Sequence, residues 1–335
     1  IQNRVANDPD FRADLMYIRR LDVQQPVRQS FVDKLKPLTV QDAMLDPTWL
    51  FARVGGCGNM ELDRINALQT AAFAKAYNLV HVTWNKRLKG RPSEWIAKDK
   101  LDELYENEPG LVFHFVWSGP CLLNHNVAPH KELGNGTPGR FHSLSFVDNE
   151  IPDALAAAMA TGQYAHVHLD EPPLSVNFVP DGSGSASGRE TLVEGMRVIG
   201  ITESSHAAKF KCQSVFAAAA GIPAWIATIS FPLNIAFAMT DFKLQGMTVE
   251  KLIMSVAKSP FPPPLDLEGF YVFISRLIGM NGLRVLHKPK GPDGLANLLD
   301  LQHAPELDVW YNGYDPDGEW DIDLARTVAA QRQPS

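Results

Sequence analysis

Apolar residues recur at three- and four-residue spacing over residues 11–20, at Phe11, Leu15 and Ile18, and again over 27–36, at Val32 and Leu35, so both segments read as helices. Residues 49–54 read as a buried strand and Gly55 to Gly58 as a turn. A helix follows from about Met60 to Tyr77, with Glu61 and Asp63 in the first turn, where negative charge suits the helix dipole. Strands are expected near 79–84, 111–117, 140–146, 164–169 and 174–179, and a helix at 151–161. The uncharged stretch from Cys212 to Thr240 has the length of a membrane span, but Gly221, Pro223, Pro232 and Asn234 interrupt it, and two buried strands with a turn fit better. An apolar strand ends at Thr240; a polar turn holds Lys243 and Gln245, Gly246-Met247-Thr248 is tight, and a further apolar run follows. After a proline-rich connection, FYVFIS reads as a strand of aromatic and β-branched residues that delivers Ser275 and Arg276 at its end.

At 335 residues, 45% hydrophobic and 21% charged, the chain can bury a full core as one domain with an insertion, or as two domains. Three widely spaced cysteines, Cys57, Cys121 and Cys212, argue against a disulfide framework and fit a reducing, intracellular setting. No signal peptide is visible. A net charge of −7 is not the footprint of a protein that coats nucleic acid through a broad basic surface. A local patch at Lys86, Arg87, Lys89 and Arg91 could line a channel or form a solvated loop.

Several constellations that invite a chemical reading are better explained structurally. Gly56-x-Gly58-x-x-Glu61 lacks the third glycine of a dinucleotide fingerprint. Cys121, His125 and His130 lack a fourth ligand at zinc spacing, and Asp315, Asp317 and Asp321 lack the glycine of a calcium loop, so no metal site is expected. His166 and His168 alternate onto one strand face, a possible site but more commonly a polar sheet face. The P-x-x-P within Pro260–Pro264 reads as a connection, DGSGSASGRE at 181–190 as a flexible loop, and 306–323 as an acidic surface tail packed through Trp310, Tyr311 and Trp320.

The motif-rich C-terminal half, AFAMTDFKLQGMTVEKLIM followed by FYVFISRLIGMNGLRVL, resembles two motifs of superfamily-one DNA helicases of the Pif/RecD type: a T-x-x-K-x-Q-G-x-T turn and a Y-V-x-x-S-R segment. Three further segments are similar to that family and in its order: QNRVANDPDFRADLMYIRRLD, FARVGGCGNMELDRINALQTAAFAK, and GPCLLNHNVAPHKELGNGTPGRFHSLSF with its N-x-x-x…L-x-NGT-x-G pattern. The resemblance implies an α/β fold: a RecA-like parallel-sheet domain of the phosphate-loop NTPase type, with an inserted β-rich, Src-homology-three-like subdomain. It divides the chain into 1–87 and 206–300 as the two parts of a second RecA-like domain, 88–205 as the insertion, and 301–335 as an acidic aromatic tail.

In the family Arg276 is the arginine finger and Arg4 reaches the nucleotide; a guanidinium suits phosphoryl transfer because its planar fork matches charge spread over the γ-phosphate oxygens. Gln245 and Gly246 are then implied to couple ATP to DNA, while Thr240, Lys243, Phe242, Asn135 and Asn124 face single-stranded DNA. Two positions depart from the family pattern: Asp241, which would repel a phosphate, and Phe242, which could stack on a base or fill a core.

The chain contains no G-x-x-x-x-G-K-[ST], and Asp170 and Glu171 with Pro172 and Pro173 after them read as an exposed strand end rather than a metal-binding pair. With Ile1 as the first residue, the expectation is the C-terminal part of a longer ATP-dependent helicase. ATP and Mg2+ would be held mainly by an N-terminal RecA-like domain outside this sequence. The fragment alone is expected to be inactive, and the setting intracellular, nuclear in a eukaryote, in DNA repair or recombination. The alternative is a non-enzymatic nucleic-acid-binding relic.

Overall fold

A computed structural model describes residues 5–90, 96–181, 197–204, 208–256, 264–287, 295–315, 317 and 319–332. All but the first residue of the loop expected at 181–190, Pro260 to Pro263, Arg91 and Arg4 lie outside the described residues. The chain divides into two compact units, residues 1–58 with 239–335, and residues 59–238. This division differs from the four segments expected from the sequence.

The first unit is built on three short parallel strands, Arg53–Gly55, Leu252–Met254 and Leu283–Val285, in that order, with Ala238–Met239 at the edge beside Arg53–Gly55. Their side chains are almost entirely buried, as parallel strands covered on both faces require. The Leu267–Ser275 helix packs on them: a Cβ on Gly55 would lie 2.6 Å from the Phe273 ring, so the strand approaches the helix more closely than any side chain permits. Phe270 meets Phe31 edge-on with ring centroids 6.0 Å apart, joining this helix to Gln29–Lys34. Phe11, Leu15 and Ile18 of Pro9–Ile18 are buried, as their spacing predicts. Asp8 caps that helix, and its other carboxylate oxygen accepts from Met280 N.

The strand expected over FYVFIS is a helix. Leu267, Phe270, Phe273, Ile274 and Leu277 are fully buried at helical spacing, and Asp266 caps the first turn by accepting from Gly269 N at 2.7 Å. The aromatic and β-branched composition suits a strand, but burial of one continuous helix face decides otherwise.

The second unit holds the Asn59–Ala76 helix and three sheets. Val80–Asn85 is the middle strand of one sheet, antiparallel to Val112–Val116 and parallel to Ala165–Leu169. Five antiparallel strands, Leu233–Ile235, Pro120–Leu123, Pro138–Ser145, Ser175–Pro180 and Ile199–Ile201, form the β-rich part. The two share a core in which Trp84 stacks on Phe113 at 4.5 Å and Phe231 meets both rings edge-on. The stretch from Cys212 to Thr240 contains the strands Trp225–Ile229 and Leu233–Ile235, but a short helix, Val215–Ala219, precedes them. No helix among the described residues is long and apolar enough to cross a membrane.

Two polar clasps tie distant parts of this unit together. Asn66 Nδ2 donates to Ala238 O at 2.9 Å while Ala238 N donates to Asn66 Oδ1 at 2.7 Å. One carboxylate oxygen of the buried Glu108 accepts from both Gln213 N and Ser214 N, each at 2.7 Å, at the start of Val215–Ala219. Lys86, expected in a surface patch, is half-buried with its ammonium turned inward. Its ammonium donates to Gly110 O at 2.7 Å beside Asp63, whose carboxyl burial pushes up to about 6 against the attraction of Lys86. Arg87 pairs with Glu203.

Candidate functional site

The turn expected between Thr240 and Thr248 is present and adds one helical turn. Thr240 O accepts from Lys243 N and Leu244 N, each at 3.1 Å, so Asp241–Leu244 forms a single turn of helix anchored by the fully buried Leu244. Gly246 follows with φ +88°, in the left-handed region where a side chain would be strained. The chain then re-enters the sheet through Val249, whose N–H donates to Arg276 O at 3.0 Å. This bond joins the two motifs: the turn that carries Lys243 and Gln245 is fastened to the C-terminal end of the Leu267–Ser275 helix, where Arg276 sits.

Arg276 is half-buried and folds back on its own helix. Its Nε donates to Val272 O and Ser275 Oγ, both at 3.2 Å, and a terminal guanidinium nitrogen donates to Ser275 Oγ at 2.9 Å. Tyr271, one turn earlier, has a buried hydroxyl without a hydrogen-bond partner among the described residues. Burial raises its pKa, and the charges of Arg19 and Arg276 oppose the rise. Tyr271 and Arg19 line a cleft of about 1130 Å³ with Glu268 and His303. Tyr271 opens the Y-V-x-x-S-R segment, but the sequence assigned it no role; read as a helix, that segment sets it one turn before Ser275.

Around the turn, Phe242 is 79% exposed, which rules out the core-packing reading of this residue. Gln245 and Gly246 are exposed, and Thr240 is half-buried. Burial lowers the pKa of Lys243. Burial first, then the charge of Asp266, raises that of Asp241, so this departure from the family pattern carries a carboxylate already disfavoured in its charged form. Asn124 and Asn135 lie in the other compact unit. Asn124 N donates to Pro232 O and its Nδ2 to Asn234 Oδ1, and Asn135 N donates to Asn126 Oδ1, so both shape the loop between Pro120–Leu123 and Pro138–Ser145. Thus Thr240, Phe242, Lys243, Gln245, Gly246 and Arg276 share one unit, the two asparagines share the other, and Arg4 is outside the described residues.

No protein-family model matches the chain, and no curated protein matches it. Solved structures do. Pif1 from Bacteroides bound to single-stranded DNA superposes with a TM-score of 0.50 at 15% identity, covering 94% of this chain and 55% of that one. The fold is that of Pif1 helicases. Pif1 from Candida albicans gives a TM-score of 0.49 at 17% identity over 92% of this chain and 59% of its own. Pif1 from Bacteroides in complex with ADP-AlF3 and single-stranded DNA gives 0.46 at 16% identity, over 97% and 55%. The chain therefore spans little more than half the length of the Pif1 proteins it resembles.

Proposed function

We propose that this chain is the arginine-finger and DNA-contacting part of an ATP-driven DNA helicase. The observation that carries the reading is the Val249–Arg276 hydrogen bond, which makes the turn bearing Lys243 and Gln245 continuous with the helix end bearing Arg276. A charge placed to sense a nucleotide and a cation placed to hold a phosphate backbone then move together. In this reading ATP and Mg2+ are held mainly by a phosphate loop in another domain, and Arg276, with Arg4, enters from this side when the domains close. Arg276 stabilises the charge that spreads over the transferred phosphoryl group. Gln245 and Gly246 relay closure to the DNA contacts at Thr240, Lys243 and Phe242, with Asn124 and Asn135 as further contacts. Phe242 offers an exposed ring on which a base stacks.

The chain alone is expected to bind single-stranded DNA without hydrolysing ATP. Fluorescence anisotropy with an oligothymidine tests this. Lys243→Ala weakens binding and lowers the slope of log affinity against log salt by nearly one, and Arg276→Ala leaves binding unchanged. In a chain extended to include a phosphate loop, Arg276→Ala and Arg276→Lys each reduce DNA-stimulated hydrolysis by about 10³-fold or more with ATP affinity less affected. A chain with no DNA affinity at low salt ends the proposal. The runner-up is a binding relic without catalysis, favoured by Asp241 at a phosphate-facing position of the motif. It is the better reading if DNA binds but Arg276→Ala changes no hydrolysis.

A further inference from the structure

The sheet centred on Val80–Asn85 has two unlike faces. One carries Val82, Trp84, Phe113, Phe115, Val167 and Leu169 into the main core of its unit. Strand alternation and register put His81, Thr83 and Asn85 on the other face, with His114 opposite Thr83 on one side and His166 and His168 level with His81 and Thr83 on the other. These polar groups bond to one another. His81 Nε2 lies 3.1 Å from His114 Nδ1, and Thr83 Oγ1 lies 2.9 Å from His166 Nε2 and 3.0 Å from His168 Nδ1. The His81 ring stacks on His114 at 5.3 Å and leans on His166 at 4.9 Å. Nε2 of His114 is buried and has no hydrogen-bond partner among the described residues. A sheet face that is merely solvated stays open. This one floors a cleft of about 540 Å³ that Leu68 and Ala71 of the Asn59–Ala76 helix wall on one side, with Asp102, Tyr105 and Glu106 of Lys98–Asn107 and Tyr164 on others.

The lining decides what can bind. Among the described residues no three of His, Cys, Asp and Glu are arranged to hold a metal ion. An anion finds no cation among the described wall residues: no lysine or arginine lines the cleft, Asp102 and Glu106 are exposed there, and Lys75 is engaged over the Tyr164 ring at 5.3 Å. Lys86 is not in the lining; its ammonium donates to Gly110 O and is attracted by Asp63. Burial keeps His81 and His114 uncharged at neutral pH, lowering them to about 4 and about 3; one of their two lone pairs accepts the bond between the rings, and the other is left over. A spare lone pair, an amide, two carboxylates and the Tyr105 ring together suit a positively charged hydrogen-bond donor.

We propose that this cleft binds an organic cation, an ammonium or guanidinium, carried either by a free polyamine or by a lysine or arginine side chain of a basic peptide. The test is calorimetric titration of the 335-residue chain at pH 7.5 with spermidine and, separately, with the tripeptide Gly-Arg-Gly. The nitrogen resonances of the His114 side chain are followed by NMR. Binding by either ligand, with a shifted His114 Nε2 signal and an affinity about tenfold weaker in the Asp102→Asn/Glu106→Gln variant, supports the proposal. Spermidine alone assigns a free amine, and the tripeptide alone assigns a protein partner. Because both substituted residues are exposed, the variant is expected to keep its fold, which an unchanged thermal midpoint verifies. The absence of heat with both ligands at millimolar concentration overturns it. So does equal affinity in the variant, or binding that leaves His114 unmoved.

Discussion

Removing the Asn66 carboxamide should cost this protein more than any surface change near the motif turn. Asn66 is 7% exposed and Ala238 is 4% exposed, so neither partner of their paired hydrogen bonds has ready access to water. Asn66→Ala leaves Ala238 N and Ala238 O, bonded at 2.7 and 2.9 Å in the native chain, without partners. Leaving a buried backbone group unsatisfied costs about 1–3 kcal/mol, so two give a loss of about 2–4 kcal/mol once partial hydration of the vacated space is allowed. Asn66→Asp keeps the acceptor for Ala238 N but turns a carboxylate oxygen toward Ala238 O. It should match the alanine variant at pH 8 and recover part of the loss near pH 5, where the carboxyl can donate again. The assay is urea unfolding joined to amide hydrogen exchange, in which the Ala238 amide should exchange about 30- to 1000-fold faster in Asn66→Ala. A loss below about 0.5 kcal/mol with unaltered exchange at Ala238 would refute the reasoning, because it would mean that water replaces the carboxamide freely.

Acid should weaken the unit that holds the histidine cleft. His81 and His114 have folded pKa values near 4 and 3, below the unfolded 6.5, so the unfolded chain takes up more protons as pH falls below 6.5; at pH 5 each histidine costs about 2 kcal/mol relative to pH 7. Asp63, raised to about 6, acts in the opposite sense and returns about 1.4 kcal/mol, leaving a net loss of about 2–3 kcal/mol. A thermal midpoint at pH 5 equal to or above that at pH 7 would contradict this. Phe242→Ala should change unfolding free energy by less than about 0.5 kcal/mol, since the ring is already in water, while weakening single-strand binding with little change in salt slope. A loss of several kcal/mol in the unfolding measurement would return Phe242 to the core.

The α/β fold was legible because its signals are local and in order: a polar turn with a glycine at the left-handed position, and apolar spacing at Phe11, Leu15 and Ile18. The strand reading of FYVFIS went astray because aromatic and β-branched residues carry strand propensity, yet Asp266 as a cap and the recurrence of Leu267, Phe270, Ile274 and Leu277 mark a helix buried along one face. The parallel strands are three residues each, too short for periodicity to bound them: the strand expected at 49–54 is Arg53–Gly55, and Pro47–Trp49 is a turn of 3-10 helix. Lys86 looked like part of a basic surface because charge is read from composition, whereas the inward turn of its ammonium depends on Gly110 and Asp63, 24 and 23 positions away. The histidine cleft was half visible: the alternation of His166 and His168 is local, but His81 and His114 join them only through strand register, which no short window contains.

The clasps at Asn66 and Glu108 also fix when the second unit can become native. Their partners stand 172 and 105 residues along the chain, so each bond closes a loop that spans most of that unit. Contacts of such separation require a large entropy loss before they are rewarded, which makes folding slow and leaves intermediates with exposed sheet edges. On a ribosome the helix Asn59–Ala76 and the strand Val80–Asn85 emerge long before Ala238, and Asn66 waits, solvated, for the last residue of its unit. A piece ending between Ala76 and Ala238 would keep every residue of the helix and lose the group that Asn66 pairs with.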